Sequence, residues 1–464
     1  MNKLATFWDR AAFFALLFIL FFAPLPLASN RVWAIGLLSC MVSLMFLMTI
    51  STSLLLNKSF KTLVQAVIPL SFLILYAVIQ AWQYWSPGCQ FWSDCMNDQA
   101  LILTNDRFAT KVQLILTIDC ILLFVSTLLL CDTTNRIKLL MWGMVFSGTF
   151  QAIFAIMMYS IGANYQIFFF DVDHAKRALG TFGYHNSFAG YMEITLSCGL
   201  GLLLASSAAS ASKEAGTKAR AVFNKIVEFV FSPKMPLRMA LILMVVALVL
   251  TRSRMGNAGF MLALIVALLI AYFNIGRLKG FLLWLVISVV AIDGIILGQW
   301  IGIDKVIQRL ENTAVQTQVE NGGFNQESVE QRIDPAYNAI DMVKKRPWFG
   351  YGAGSFYITF VPFKSKNQAS NFYDHAHNDY LEFLVDVGIV GLALLLLYTL
   401  CGFVKAVKLL RNTDPIYQGV GFTGLLMILS MALHSTVDFN LHMPANIVSI
   451  VAITALIWCK ARSN

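Results

Sequence analysis

The sequence predicts an all-α polytopic membrane protein, with about 12 transmembrane helices and one large loop carrying short helices. Three observations carry this. Of the 464 residues, 58% are hydrophobic and only 13% charged, and mean hydropathy is +0.69, whereas soluble domains run near a quarter charged. Twelve apolar runs recur along the chain, at 11–28, 33–55, 62–82, 112–131, 137–162, 185–206, 238–251, 257–273, 280–298, 381–403, 417–434 and 445–459. Most approach the ~20 residues that cross a bilayer as a helix. Lysine and arginine also divide unevenly between alternate connections. With the N-terminus inside, nineteen fall in the inner connections and seven in the short outer ones. The long stretch 299–380 is left out of that comparison, because long loops translocate largely regardless of charge.

The first run lacks a small-residue cleavage site and reads as a retained helix rather than a signal peptide. Between the third and fourth runs, Cys89 and Cys95 flank a polar pentapeptide. They form a small disulfide if that loop meets an oxidising compartment, or else stay two thiols. The other six cysteines lie in or beside apolar runs and read as packing. The stretch 207–238, with Pro233 and Pro236, reads as a cytoplasmic linker whose basic residues sit near anionic lipid heads. The chain thus divides into 1–298 (transmembrane helices 1–9 with linker 207–238), the large loop 299–380, and 381–464 (helices 10–12). Both termini face the cytoplasm. The formal charge of +9 follows from the inner loops and gives no nucleic-acid signal.

Within the large loop, Val329, Ile333, Tyr337, Ile340 and Val343 recur at helical spacing, predicting a helix over Glu327 to Lys345. Arg346-Pro347 should end it, since the residue before a proline disfavours the α region. Gly350-Tyr351-Gly352-Ala353-Gly354 then reads as a turn. It has neither the Lys-Ser/Thr nor the βαβ setting of a phosphate loop.

The stretch from Asp374 to Glu382 sets His375, His377, Asn378 and Asp379 where the polar loop meets an apolar run. Ionisable groups at that depth are costly to desolvate and mark function. The same side of the membrane collects Arg31, Arg177 with His185, Arg252 with Arg254, and a weaker polar stretch from His434 to Pro444. Arginine offers phosphate a planar fork of donors, and histidine suits removal of a hydroxyl proton near neutral pH. The pattern fits group transfer from a lipid-linked phosphate or pyrophosphate. Each residue also has a plainer reading. Arg31 can be an interfacial anchor. Arg252 and Arg254, two apart, point different ways on a helix, and Arg254 is favoured for the site. His185 with Asn186 reads as a helix-entry pair, and Glu382 with Asp386 as a polar helix face. His375 and His377 could ligate a metal only on a strand, and nothing nearby completes such a site, so no metal or other cofactor is expected.

Five stretches together resemble a known family. They are Pro24 to Trp33, Arg177 to Gly190, Ser253 to Asn257, Arg346 to Gly352, and His377 to Glu382 with Gly388 eleven residues after His377. The chain resembles the O-antigen ligase and O-antigen polymerase superfamily of bacterial envelope glycosyltransferases. That resemblance implies a GT-C-like inner-membrane enzyme with a large periplasmic loop, using undecaprenyl-pyrophosphate-linked glycan as donor and no metal. The family's essential histidine falls on His377 and its essential arginines on Arg177 and Arg254. Tyr184-His185-Asn186 departs from the usual order after the first arginine. Arg31, Arg252, His375, Asn378, Asp379 and His185 complete the list as candidate substrate contacts. The implied reaction is inverting, with lipid A–core as acceptor (ligase) or a second lipid-linked repeat (polymerase). A transporter or flippase is the reading from another class. It calls for internal repeats and midplane charges, and neither is evident.

Overall fold

The computed structural model describes residues 2–86, 103–162, 164–167, 170–173, 177–211, 235–275, 329–364 and 374–460. The Cys89/Cys95 loop, residues 212–234 of the linker, the ninth apolar run, and 299–328 with 365–373 of the large loop lie outside the described residues. In chain order the helices are α1 Asn2–Phe22, α2 Val32–Leu55, α3 Lys61–Gln65, α4 Val67–Trp85, α5 Arg107–Leu130, α6 Thr134–Ile161, α7 His185–Ala211, α8 Met235–Leu250, α9 Arg254–Asn274, α10 Val329–Lys345, α11 Phe356–Phe360, α12 Asp379–Leu410, α13 Pro415–His434 and α14 Pro444–Trp458. One antiparallel hairpin, β1 Asn164–Ile167 with β2 Phe170–Asp173, supplies the strands found among the described residues.

Hydrocarbon cannot hydrogen-bond a backbone, so apolar runs of this length close their bonds internally as helices. Among the described residues nine helices are long and apolar enough to cross a membrane, and α8 and α14 are shorter apolar helices. Together they account for eleven of the twelve predicted runs. Polar side chains start several of them: Asp106 accepts from Ala109 N at 3.0 Å and Asp414 from Ile416 N at 2.8 Å. Gly162, at φ 65°, ends α6 in the left-handed region, where a residue without Cβ is unstrained. The large-loop helix ends at Lys345, immediately before Arg346-Pro347, as the sequence predicts.

The central helix is α7, almost wholly buried. Lipid tails give apolar helices no hydrophobic reason to associate, so close packing does the work. Gly201 on α7 faces Gly419 on α13 so closely that a Cβ on either would overlap the other's carbonyl.

The helices connect at two ends. At one, Thr181 Oγ1 donates to Pro24 O (2.6 Å), Ala178 N to Leu250 O (3.0 Å), Asn105 N to Tyr351 O (2.8 Å) and Asp379 N to Ser435 O (3.0 Å). At the other, four charges meet. Lys58 Nζ lies 2.8 Å from Asp9 and 3.1 Å from Asp132, and Arg136 lies 2.7 Å from Asp9 and 3.5 Å from Asp132. Lys58 and Arg136 also donate to Leu129 O and Leu130 O. The positive-charge argument treats these two as ordinary loop cations. They are instead neutralised by carboxylates on α1 and at the α5–α6 junction.

Candidate active site

His377 sits at the mouth of α12 with φ +51°, a left-handed backbone uncommon for a residue with a Cβ. The segment around it is pinned from several directions. Asn378 caps α12 by accepting from Leu381 N (3.1 Å) and donates to Thr436 O (2.8 Å). Asp379 N reaches Ser435 O and Asp438 O. The Asp379 carboxylate is buried, 2.7 Å from His442 Nδ1 and accepting from Leu441 N at 3.0 Å. Glu382, one turn along α12, accepts from Ala376 N (2.9 Å) and pairs with His375 Nδ1 (2.7 Å), with His442 Nε2 at 3.5 Å. Burial works against charging either histidine, but the Glu382 carboxylate prevails. His375 is raised above its usual range, and His442, also bonded to Asp379, is pushed up to about 9. Asp379 and Asn378 hold the loop in place through these bonds. Glu382 and Asp386 are buried anchors, not a solvated polar face.

Two residues after Asp386, α12 breaks. Gly388 takes φ 66° and ψ −171°, a combination essentially confined to glycine. The carbonyls of Val385 and Asp386 would ordinarily receive the amides of Ile389 and Val390. Here Tyr351 N and Gly352 N donate to those carbonyls (2.8 and 2.9 Å), while Ile389 N and Val390 N donate to Pro347 O and Trp348 O (2.8 and 3.2 Å). The turn after Arg346-Pro347 thus plugs the broken helix. Gly350, Gly352 and Gly354 all adopt positive φ, as the turn reading requires. Asp386 accepts from Gly354 N (2.6 Å), and Gln83 on α4 donates to Phe349 O and Asp386 O (2.7 and 3.0 Å).

The arginines stand on the neighbouring elements. Arg177 contacts both ring nitrogens of His185, Nδ1 at 3.3 Å and Nε2 closer. Ala178 is bonded to the end of α8, and Gly256 on α9 packs against Ala189 on α7. The junction bearing Arg252 and Arg254 therefore lies beside the one bearing Arg177. Arg252 is not on a helix. It occupies a turn at φ +56° and donates to Tyr159 Oη (3.1 Å), while Arg254 opens α9 after the Ser253 cap. The helical-face argument for choosing between them does not apply, and both are exposed. Arg31 follows a left-handed turn in which Leu27, Ala28 and Ser29 have φ of 52°, 59° and 56°. That turn packs on Leu179.

Aromatic rings join the two halves. Phe439 lies flat between His375 (4.0 Å, 12°) and Tyr184 (5.1 Å, 12°) and meets the His377 ring at 5.3 Å. Tyr184 in turn touches His185 at 4.8 Å. His377, His375, His185 and Arg177 are thus linked through these rings, and the turns bearing Arg252, Arg254 and Arg31 pack on neighbouring elements. His442 falls in the weaker polar stretch from His434 to Pro444, whose polar residues are its signal in the sequence. Phe439 and Gln83 carried none, since an aromatic or amide in an apolar chain looks like packing. A largely apolar cavity of about 230 Å³ adjoins the site between α4, α5, α12, α13 and α14, with Tyr380 and Leu441 in its lining.

Fold and geometry together define an all-α polytopic membrane protein with His185, His375, His377, Arg177, Arg252 and Arg254 at one end of the bundle. Residues 239–396 match the family model described as O-antigen ligase. Over that stretch, from α8 into α12, the chain is similar to the O-antigen ligase family, which supports a membrane glycosyltransferase of that kind at family level. The matched residues include Arg252, Arg254, His375 and His377, while Arg31, Arg177 and His185 lie outside them. No curated protein matches the chain.

Proposed function

We propose that the protein transfers a glycan from undecaprenyl pyrophosphate to a hydroxyl of lipid A–core, as an O-antigen ligase at the periplasmic face of the bacterial inner membrane. The observation that carries this reading is the contact of His377 with Phe439, whose ring also stacks on Tyr184, which in turn touches His185 beside Arg177. A base and an anion holder are thereby fixed relative to one another. His377 takes the acceptor hydroxyl proton, and the oxygen forms a bond to the anomeric carbon. The bond from that carbon to the pyrophosphate oxygen breaks, and its electron pair leaves with the pyrophosphate. Arg177 and Arg254 neutralise the departing charge through forked donors, with Arg252 and Arg31 at the margin. One displacement inverts the anomeric centre. The chemistry needs positioned donors and a base, and no cofactor. The apolar cavity beside Tyr380 offers room for hydrocarbon of a lipid-linked substrate.

The same residues serve a polymerase of O-antigen or exopolysaccharide, whose acceptor is a second lipid-linked repeat. Deleting the gene in its host and resolving envelope glycolipids on a gel separates the two. Core–lipid A without chains, with long polymer kept on the carrier lipid, is the ligase outcome. Core–lipid A bearing single repeats is the polymerase outcome. If every envelope glycan is unchanged, the transfer reading is wrong.

A further inference from the structure

We infer that Glu193 and His434, a buried acid–histidine pair between α7 and α13, are positioning residues for the base His377. This rests on the transfer reading above and adds to it what sets the seat of the base.

Glu193 Oε1 lies 2.6 Å from His434 Nδ1, and the two side chains are 0% and 1% exposed. Ionisable groups so deep in an apolar bundle are costly to desolvate and mark function. Stability alone does not call for them, since apolar residues in place of a buried pair are often neutral or stabilising. The pair is the last of three ties along the antiparallel seam of α7 and α13. Gly201 meets Gly419, Thr423 Oγ1 donates to Ser197 O at 3.1 Å, and Glu193 meets His434, the final residue of α13. The first two ties join the bodies of the helices. The third fixes the end of α13, and the turn that leaves this end carries much of the seat of His377. Ser435 N and Val437 N fold back onto Met431 O and His434 O at 2.9 and 3.2 Å. The turn's own carbonyls then take the residues after His377. Thr436 O accepts from Asn378 Nδ2 at 2.8 Å, and Ser435 O and Asp438 O accept from Asp379 N at 3.0 and 3.1 Å. Tyr380 Oη donates to Ala432 O at 2.8 Å, inside the last turn of α13. Phe439, whose ring meets that of His377, follows directly. A shift of His434 therefore passes into both the backbone around His377 and the ring against it. Displacing a reacting group by about 1 Å can cost 10²-fold in rate. Arg177, Arg252 and Arg254 stand on other connections and keep their places, so the loss falls on turnover rather than on substrate binding.

Purified full-length protein is assayed for kcat and for the KM of lipid-linked donor and of lipid A–core, with the thermal midpoint measured alongside. Glu193→Leu should lower kcat about 10²-fold with both KM values near native. Glu193→Gln keeps a hydrogen-bonding atom for His434 and should stay within about tenfold of native kcat. Adding His434→Leu to Glu193→Leu should lower kcat no further, because the two act as a unit. Removing both charges should also return the midpoint towards native, since no stranded group remains, while kcat stays low. If Glu193→Leu alone does not fold, the double variant gives the same comparison against Glu193→Gln. A kcat that recovers together with the midpoint in the double variant would show that the pair only stabilises the bundle and overturns the inference. Native kcat in Glu193→Leu, or a raised donor KM at native kcat, overturns it too while leaving an essential His377 intact. Full transfer by His377→Ala would instead overturn the reaction itself.

Discussion

His377 holds a left-handed backbone that L residues avoid, and its neighbours enforce it. Ala376 N and the His375 ring both end on Glu382, while Asp379 is clamped by His442 and the 435–438 carbonyls. Strain of this kind costs about 1–3 kcal/mol and persists only where the surroundings over-determine it. The clamp depends on charge. A histidine raised in the folded state contributes stability that is complete below its ordinary value of 6.5 and is lost as pH rises through about 9, the His442 value. The thermal midpoint of the purified protein should therefore fall from neutral pH through about 9, and the fall should shrink in His442→Gln. A flat profile over that window would show that the clamp carries no charge. His377 and its neighbours were legible in sequence because polar residues at a span's mouth stand out. Their division of labour was not, since it depends on partners some sixty residues away, such as His442 for Asp379.

In α12, a transmembrane helix is broken on purpose by the segment that precedes it. Two backbone bonds that an unbroken helix would close internally are replaced by four to 347–352. The Arg346-Pro347 stop and the glycine-rich turn are each readable locally. That the turn inserts into a helix forty residues on is not, because sequence periodicity reports a helix's own face and not what replaces its hydrogen bonds. A Cβ at Gly388 would overlap the Trp348 carbonyl and Phe349 nitrogen. Gly388→Ala should therefore destabilise by at least about 1–3 kcal/mol from backbone strain alone and dislodge the plug beside Asp386. The expected outcome is loss of most transfer activity with a lower thermal midpoint. Native values for both would mean that the break has no bearing on the site.

The two ends of the bundle have different jobs. One carries the site. The other closes on Asp9, Lys58, Asp132 and Arg136, with the Lys58 side chain only 5% exposed. Breaking a buried ion pair on one side strands the other charge, at about 3–5 kcal/mol. Lys58→Met should lower the thermal midpoint sharply yet leave turnover per folded molecule near native. An unchanged midpoint would argue that the four charges are solvated. Eleven helices follow from hydropathy because the bilayer fixes their length. The gathering of Arg31, Arg177, Arg254 and His377 at one end follows from helix count and alternating direction. Their joining through Phe439 was hidden, since the ring pair Tyr184–Phe439 spans most of the chain and leaves no local pattern.

The most direct measurement of the central claim is transfer by the purified protein in detergent, where no gradient exists, from lipid-linked glycan donor to lipid A–core. The native chain should consume donor, and His377→Ala should bind it and transfer nothing. Turnover by His377→Ala at the native rate would contradict the account.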